Sequence, residues 1–215
     1  MQESPLSASR RSKSSRRWLD RHVNDDYVHR ARAEGYRSRA AYKLLELQQR
    51  DALLRPGMTV VDLGAAPGGW SQVAATLVGK RGRIIAMDLL AMDPIDGVEF
   101  IQADFREDAA LAQLHQLLDG QAVDLVLSDM APNVSGMKAV DQPRSIYLVE
   151  LALDFAASTL KPGGCLAVKA FHGEGFDDLV RTLRSRFERV VSRKPKASRP
   201  QSRETYLVAK GFRVG

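Results

Sequence analysis

The sequence predicts an α/β fold in which helices cover both faces of a mostly parallel, seven-stranded sheet. Apolar runs of strand length alternate with longer segments of helical periodicity along most of the 215 residues. The runs are almost continuously apolar, which is typical of parallel strands buried on both faces. The last two runs follow each other without a helix between them, so we expect a C-terminal antiparallel hairpin. A glycine-rich turn directly after the first run favours a Rossmann-like, ligand-binding version of this fold.

Each element is predicted from the periodicity of its apolar residues and from the residues that flank it. Ser38 is the candidate N-cap of the second helix, because a serine hydroxyl can accept a hydrogen bond from a free amide of the first turn. Strands are predicted over seven runs: 59–63, 83–87, 98–102, 123–127, 166–170, 189–192 and 205–209. Helices are predicted over 18–33, 38–50, 70–77, 108–118, 144–160 and 176–187.

The beginning of the chain differs in composition from the rest. Residues 1–17 are rich in Ser and Arg and lack apolar periodicity, which predicts a basic disordered arm. This composition also resembles a mitochondrial presequence, although Glu3 and the missing apolar helical face argue against that alternative. No repeat and no internal linker divides residues 18–215, so we expect them to form one domain.

Positive charge is concentrated at the two ends of the chain. The net charge is +6, but residues 1–21 carry +4 and residues 181–203 carry +8, which leaves −6 for the remaining residues. A basic surface on an acidic body is the expected footprint of a nucleic-acid partner. Charge alone does not distinguish this interpretation from a solvated surface with a charged tail.

Composition also argues against several other classes of protein. The sequence contains no run of about 18 apolar residues, so no membrane-spanning helix is predicted. Cys165 is the only cysteine, which excludes an intrachain disulfide and favours a reducing, cytoplasmic location. No cluster of Cys and His residues has the spacing of zinc ligands, so we expect no metal.

The glycine-rich turn has the sequence GAAPGGW over residues 64–70. Glycines at such a turn allow the backbone to approach a ligand closely, whereas a tight turn without any ligand is the structural alternative. The spacing is not the GxGxxG of dinucleotide enzymes, and no Gly-Lys-Ser/Thr follows as in a phosphate-binding P-loop. The turn therefore favours a ligand without a pyrophosphate.

Three aspartates are placed where the second, third and fourth strands end. Asp88 lies 20 residues after Gly68, the usual offset of an acid that binds ribose hydroxyls. Asp104 could accept a hydrogen bond from an adenine amino group, and Asp129 follows the fourth strand. Any one of them could simply cap a turn or a helix. Together around one glycine turn, they favour a site for S-adenosylmethionine.

Two lysines interrupt apolar patterns. Lys169 lies in an apolar strand, where burial of an ammonium is costly unless it is paired or neutral. Lys43 shares a predicted helical face with apolar residues, but a snorkelling side chain explains it equally well. If the acceptor is an RNA ribose hydroxyl, Lys169 is the candidate base and Asp129 the group that orients it. Glu204 by itself is explained as a solvated acid paired with Arg203.

Five segments resemble, in order, the motifs of the FtsJ family of ribose 2′-O-methyltransferases. The similarity extends from about residue 18 to residue 209, and its segments are RSRA at 37–40, VVDLGAAPGGWS at 60–71, SDMAPN at 128–133, VK at 168–169 and SRE at 202–204. The resemblance implies a methyltransferase domain that uses S-adenosylmethionine and methylates a uridine ribose in 23S rRNA. It also implies that the partner is large-subunit rRNA or the assembled large ribosomal subunit, and that the protein is a monomer.

The resemblance also assigns individual site residues. It implies a Lys-Asp-Lys-Glu catalytic set, which here falls on Lys43, Asp129, Lys169 and Glu204. Asp129 and Lys169 follow from the residues alone, whereas Lys43 and Glu204 depend on the resemblance. The implied cofactor contacts are Gly68, Trp70, Asp88, Asp104 and Asp129.

Two alternatives to ribose methylation stay open from the sequence. A methyltransferase that acts on bases is disfavoured, because residues 129–133 lack the aromatic residue that stacks a target base, and the only cysteine, Cys165, begins a core strand. From a different class, an RNA-binding assembly factor whose methylation is incidental is compatible with the same motifs.

Overall fold

The computed structural model describes residues 25–133 and 135–214, which form a seven-stranded sheet between two layers of helices. The order across the sheet is β3-β2-β1-β4-β5-β7-β6; β7 is antiparallel to both of its neighbours, and the other pairs are parallel. This confirms the predicted fold class. The strands are β1 (Thr59–Leu63), β2 (Arg83–Asp88), β3 (Val98–Gln102), β4 (Val123–Ser128), β5 (Leu160–Phe171), β6 (Phe187–Arg193) and β7 (Glu204–Phe212).

The helices pack on both faces of the sheet and bury two apolar clusters. The α2 and α3 helices cover one face, where Leu44 and Val73 pack against strand residues such as Leu125. The α4, α5 and α6 helices cover the other face, with Leu114 and Leu183 among the buried side chains. The described helices are α1 (Asp26–Ala33), α2 (Ala40–Asp51), α3 (Gly69–Val78), α4 (Asp108–Leu118), α5 (Lys138–Thr159) and α6 (Phe176–Arg186).

The structure corrects two details of the predicted helices. The expected N-cap at Ser38 is wrong, because α2 begins at Ala40 without a side-chain cap, and the buried Ser38 hydroxyl packs against Gly69. The α5 helix begins at Lys138, before Pro143, rather than at residue 144. A proline inside a helix removes one amide donor, and this helix continues through it.

The predicted arm 1–17 and the first part of the predicted helix 18–33 lie outside the described residues. None of the helices in the described ranges is long and apolar enough to cross a membrane. Within the same ranges, no group of three or more His, Cys, Asp or Glu side chains is arranged to hold a metal ion.

A buried ion pair fixes α2 to the antiparallel end of the sheet. Asp51, the last residue of α2, accepts hydrogen bonds from Arg193 Nε at 2.9 Å and from Arg193 Nη2 at 2.8 Å. Its backbone carbonyl accepts a further bond from Lys210 Nζ at 2.7 Å. The Asp51 side chain is only 3% exposed. The pair therefore sets the position of α2 over β6 and β7.

A second buried carboxyl lies in β1. Asp62 is completely buried, its Oδ2 accepts a hydrogen bond from Ser71 Oγ at 2.6 Å, and its Oδ1 has no partner among the described residues. Burial raises the pKa of Asp62 to about 7; the Ser71 bond opposes this rise, whereas the nearby Asp129 and Asp88 charges add to it.

We predict that Asp51→Asn destabilises the protein by about 2 kcal/mol, because it removes the charge that the Arg193 guanidinium faces. Urea unfolding of the purified variant measures the change in the free energy of unfolding. Arg181→Ala is the matched control, since it breaks an exposed pair with Asp178 and should change stability by less than about 0.5 kcal/mol. Equal effects of the two substitutions would contradict the prediction.

We also predict that Asp62 makes the free energy of unfolding depend on pH. Because its folded pKa is raised from 3.8 to about 7, the protonated form contributes stability at low pH that is lost as the pH rises through 7. Asp62→Asn has no carboxyl group to titrate at this position. Above pH 7 its free energy of unfolding should therefore exceed that of the native protein by about 2–4 kcal/mol. Urea unfolding across a pH series tests this, and parallel stability curves for both proteins would refute it.

Candidate active site

The glycine turn and Asp129 lie at the point where the strand order reverses. From β1 the chain proceeds outward through β2 and β3, then returns to place β4 on the other side of β1. The Gly64 and Ala65 amides both donate to the Met87 carbonyl, and the Asp129 amide donates to the Leu63 carbonyl at 3.2 Å. Ligands of open α/β sheets bind in the crevice at such a reversal, beyond the carboxyl ends of the strands.

The turn itself requires glycine at two positions. Gly64 has a φ of +77°, and a Cβ there would lie 2.6 Å from Met130 Cγ. Gly68 has a φ of +107°, and a Cβ there would lie 2.7 Å from Ile95 Cδ1. The turn is therefore closely packed between the loop after β4 and the loop after β2, so both loops help to shape the crevice.

Arg37 fastens the loop after β2 to this turn. Its guanidinium donates to the Asp93 carbonyl at 2.5 Å and to the Pro94 carbonyl at 2.6 Å. Its backbone amide donates to Gln72 Oε1 at 2.8 Å. These bonds connect the residues before α2, the first turn of α3 and the β2–β3 loop.

The Asp88 carboxylate is held beside the glycine turn by two backbone amides. One of its oxygens accepts from the Ala66 amide at 2.9 Å, and the other accepts from the Leu90 amide at 2.8 Å. Each carboxylate oxygen has two acceptor positions, so both retain capacity for a hydroxyl group. The amide bonds hold the carboxylate beside the glycine turn.

Asp104 is close to Asp88 but is occupied by a neighbouring side chain. The Ala103 amide donates to the Asp88 carbonyl at 3.0 Å, which joins the ends of β2 and β3. Both Asp104 oxygens accept from Arg106, with Nη2 at 2.5 Å, and this contact lowers the pKa of Asp104 to about 2. An adenine amino group at Asp104 would share the carboxylate with Arg106 or displace that exposed side chain.

The Trp70 side chain belongs to the core rather than to the crevice. It is 2% exposed, and its indole Nε1 donates to the Ala40 carbonyl at 2.8 Å. Its ring packs against Tyr206, with centroids 5.5 Å apart. Any contact from Trp70 to a ligand in the crevice would therefore be made by its backbone, at the amino end of α3.

Four charged side chains expected from the sequence meet in one cluster. Lys43 Nζ lies 2.8 Å from Glu204 Oε1, and Lys169 Nζ lies 3.0 Å from Asp129 Oδ1. Lys169 Nζ also donates to the Asp129 carbonyl at 2.5 Å. The Lys43 side chain is 12% exposed and that of Lys169 only 8%. The cluster contains two ammonium groups and two carboxylates, each largely removed from water.

The lysines determine the ionisation of the carboxyl groups. Burial by itself raises the pKa of Asp129, but Lys169 and Lys43 outweigh it, and the net pKa is lowered. Burial likewise raises the pKa of Glu204, but the charge and hydrogen bond of Lys43, together with the Ser198 hydroxyl and the Lys169 charge, outweigh burial, and the net pKa is lowered. Both acids are therefore carboxylates at neutral pH, able to hold the lysines in place.

A surface cleft of about 390 Å³ opens beside this cluster. The largely buried Lys43, Glu204 and Arg39 line it together with residues 40, 201 and 202, and the more exposed Arg199 lies at its rim. Arg39 is itself bonded to Asp25 and to the Ala197 carbonyl. The cleft therefore offers a basic entrance to the buried lysine–carboxylate pairs.

Sequence reasoning missed Tyr206 and Arg106 as members of the site. Tyr206 is completely buried, and its hydroxyl donates to Asp129 Oδ1 at 2.6 Å. It lies two residues after Glu204, so strand alternation would have placed both side chains on one face. Its contact with Asp129 depends on strand pairing that no local pattern reveals.

Comparison with known proteins identifies the family of this chain. Residues 36–212 match the profile of the FtsJ-like methyltransferase family. Ribosomal RNA large subunit methyltransferase E of Marinobacter nauticus is 61% identical over 204 residues, which cover 95% of this chain and 99% of that protein. The protein of the same name from Alkalilimnicola ehrlichii is 61% identical over 94% of this chain and 97% of its own.

Solved structures agree with these sequence matches. A ribosomal RNA methyltransferase of Plasmodium falciparum superposes with a TM-score of 0.73 at 33% identity, covering 82% of this chain and 98% of that chain. An rRNA methylase structure from Clostridium thermocellum, at 20% identity and a TM-score of 0.50, shares the fold. Profile, relatives and fold agree, and the chain belongs to the FtsJ-like methyltransferase family.

Proposed function

We propose that this methyltransferase transfers a methyl group from S-adenosylmethionine to a uridine ribose 2′-hydroxyl in 23S rRNA of the large ribosomal subunit. The observation that carries the proposal is the buried Lys43–Glu204 and Lys169–Asp129 cluster at the carboxyl ends of the strands, beside the glycine turn. The relatives named Ribosomal RNA large subunit methyltransferase E support a large-subunit rRNA substrate. The uridine and the 23S molecule come from the resemblance of the motifs.

The crevice fits S-adenosylmethionine by the chemistry of its walls. Gly64 and Gly68 let the turn pack closely against the neighbouring loops, and Asp88 retains acceptor capacity for two ribose hydroxyls. Asp104 is the candidate acceptor for the adenine amino group, and the backbone at Trp70 and the Asp129 carboxylate complete the proposed set. When bound, this cofactor supplies a methyl group already activated by a positively charged sulfur.

Each residue of the charged cluster is assigned its own role in methyl transfer. A ribose hydroxyl is a weak nucleophile, so it must lose its proton as it attacks. We assign Lys169, acting as the uncharged amine, as the group that accepts this proton and becomes an ammonium, and Asp129 as the carboxylate that orients it. Lys43, held by Glu204, places a positive charge beside the oxygen as it loses its proton.

The basic entrance suits an RNA substrate better than a small molecule. Residues 181–203 carry a net charge of +8, and Arg199 from this stretch lies at the rim of the cleft. Phosphate groups of RNA are attracted to such a surface, and that attraction weakens with added salt. A surface of this kind also fits the resemblance-based expectation of an assembled ribosomal subunit as substrate.

Carbon-5 methylation of cytosine is disfavoured by the state of the single cysteine. Cys165 lies within β5 and is 8% exposed. Burial raises the pKa of its thiol, so the nucleophilic thiolate is scarce at neutral pH. Ribose methylation needs no cysteine and uses residues that are already gathered in the cluster.

We predict that Lys169→Met lowers methyl transfer to rRNA by at least about 100-fold while cofactor affinity is retained, because it removes the proton acceptor but keeps the bulk of the side chain. Mapping of 2′-O-methyl groups on 23S rRNA from cells with each variant measures the product directly. Lys161→Met is the matched control, since this lysine begins the same strand, is 51% exposed and pairs with Asp124 away from the cluster.

The same variant separates catalysis from a role in assembly. If Lys169→Met cells lack the methyl group but assemble ribosomes normally, RNA binding is the main function and methylation is incidental. Methyl transfer at the native rate by Lys169→Met would refute the assigned base. Loss of methyl groups at positions other than a uridine ribose would refute the proposed product.

We predict that Asp88→Ala weakens binding of S-adenosylmethionine by about 10- to 100-fold, because a charged acceptor of two ribose hydroxyls is lost. Calorimetric titration of the cofactor measures the dissociation constant without RNA. Asp96→Ala is the control, as this acid is exposed on the same β2–β3 loop. An unchanged dissociation constant for Asp88→Ala would contradict the proposed cofactor position.

A further inference from the structure

We propose that Tyr206 is a positioning residue for methyl transfer, whose hydroxyl joins the Lys43–Glu204 pair to the Asp129–Lys169 pair and holds both in one arrangement. The inference rests on the proposed function, because it assigns Tyr206 a part in the same reaction. Neither the motif resemblance nor the residue patterns placed this tyrosine in the site.

Strand register brings Tyr206 to the catalytic lysine. In the antiparallel pairing of β5 with β7, Lys169 lies directly opposite Tyr206, and Phe171 lies opposite Glu204. Directly opposite residues project from the same face of a sheet and contact each other. Tyr206, Glu204 and Lys169 therefore all face α2, which carries Lys43.

The hydroxyl makes one bond to each pair. Tyr206 Oη donates to Asp129 Oδ1 at 2.6 Å and accepts from Lys43 Nζ at 3.1 Å. The direction is fixed by chemistry, because a carboxylate can only accept and an ammonium can only donate. Asp129 Oδ1 also faces Lys169 Nζ at 3.0 Å, so one oxygen atom is shared between the tyrosine and the lysine.

The ring that carries this hydroxyl is locked in place. It is completely buried and packs against Trp70 with a centroid separation of 5.5 Å and an interplanar angle of 42°. Trp70 is held in turn by its bond to the Ala40 carbonyl, one helical turn before Lys43. The position of the hydroxyl is thus coupled both to the amino end of α3, at the glycine turn, and to α2.

The electrostatic surroundings keep the tyrosine a hydrogen-bond donor. Burial raises the pKa of Tyr206 well above its ordinary value, and the Asp129 and Glu204 charges raise it further. A phenol held protonated cannot act as the base, which limits its role to positioning. The charged and titratable groups acting on Asp129 in the cluster are Lys169 on β5, Lys43 on α2 and Tyr206 on β7, and the Asp129 charge in turn raises the pKa of Asp62 on β1.

The test is Tyr206→Phe, which retains the ring and removes only the hydroxyl. We expect kcat for methyl transfer to fall by about 10- to 100-fold, with KM for both substrates and the cofactor dissociation constant unchanged. Because Asp129 loses a donor that lowers its pKa, the acid limb of the kcat–pH profile should move to higher pH. A purely structural role would lower thermal stability without moving this limb.

Tyr42→Phe is the matched control. Tyr42 is also buried and its hydroxyl also bonds a carboxylate, Glu34 Oε2 at 2.9 Å, but this pair lies outside the cluster. We expect Tyr42→Phe to leave kcat and the pH profile unchanged. A double-mutant cycle of Tyr206→Phe with Lys43→Met should be non-additive, whereas Tyr42→Phe with Lys43→Met should be additive.

NMR of the native protein tests the inference even if the Tyr206→Phe variant fails to fold. With tyrosine labelled at ¹³Cζ, the Tyr206 resonance should stay that of a phenol at alkaline pH and shift in acid as Asp129 takes up a proton. A native kcat and pH profile in folded Tyr206→Phe, additive cycles, or a resonance without an acid step would each overturn the inference. Absence of ribose methylation by the native protein would instead refute the proposed function.

Discussion

The burial of two ammonium groups constrains the rest of this structure. Lys43 and Lys169 are each largely removed from water, and charges in that position are tolerated only with close, hydrogen-bonded partners. Asp129 and Glu204 supply those partners from the end of β4 and the start of β7. Because the four groups come from one helix and three strand ends, the amino-terminal part of α2 must lie beside the carboxyl ends of β4 and β5, while the Asp51–Arg193 pair fixes the last residue of the helix.

The crevice proposed to bind the cofactor and the charged cluster are parts of one packed unit. Trp70 follows the glycine turn, bonds the Ala40 carbonyl of α2 and packs on the Tyr206 ring. A shift of the turn would therefore be transmitted to α2 and to the Tyr206 hydroxyl through close-packed contacts. Methyl transfer requires donor and acceptor to be aligned to within fractions of an ångström, and this shared packing is a means of keeping that alignment.

The two arginines of the RSRA segment hold neighbouring loops of the protein in place. Arg37 and Arg39 both belong to the RSRA segment, yet Arg37 spans the carbonyls of the β2–β3 loop, and Arg39 bonds Asp25 and the Ala197 carbonyl. Both guanidinium groups thus stabilise loops around the crevice. From the basic stretch 181–203, Arg199 is the charged residue that lines the cleft, together with Arg39.

Apolar periodicity and turn chemistry are local properties, so the fold class, the order of the strands along the chain and the glycine turn could be predicted from the residues alone. Lys169 could also be predicted, since a lysine within an apolar strand violates a local rule. Contacts between elements depend on the folded chain: the Ser38 hydroxyl packs on Gly69 instead of capping α2, and Arg106 covers Asp104. Tyr206 could be placed only by the register of β5 against β7, because a residue's partner across a sheet depends on pairing between segments far apart in the chain.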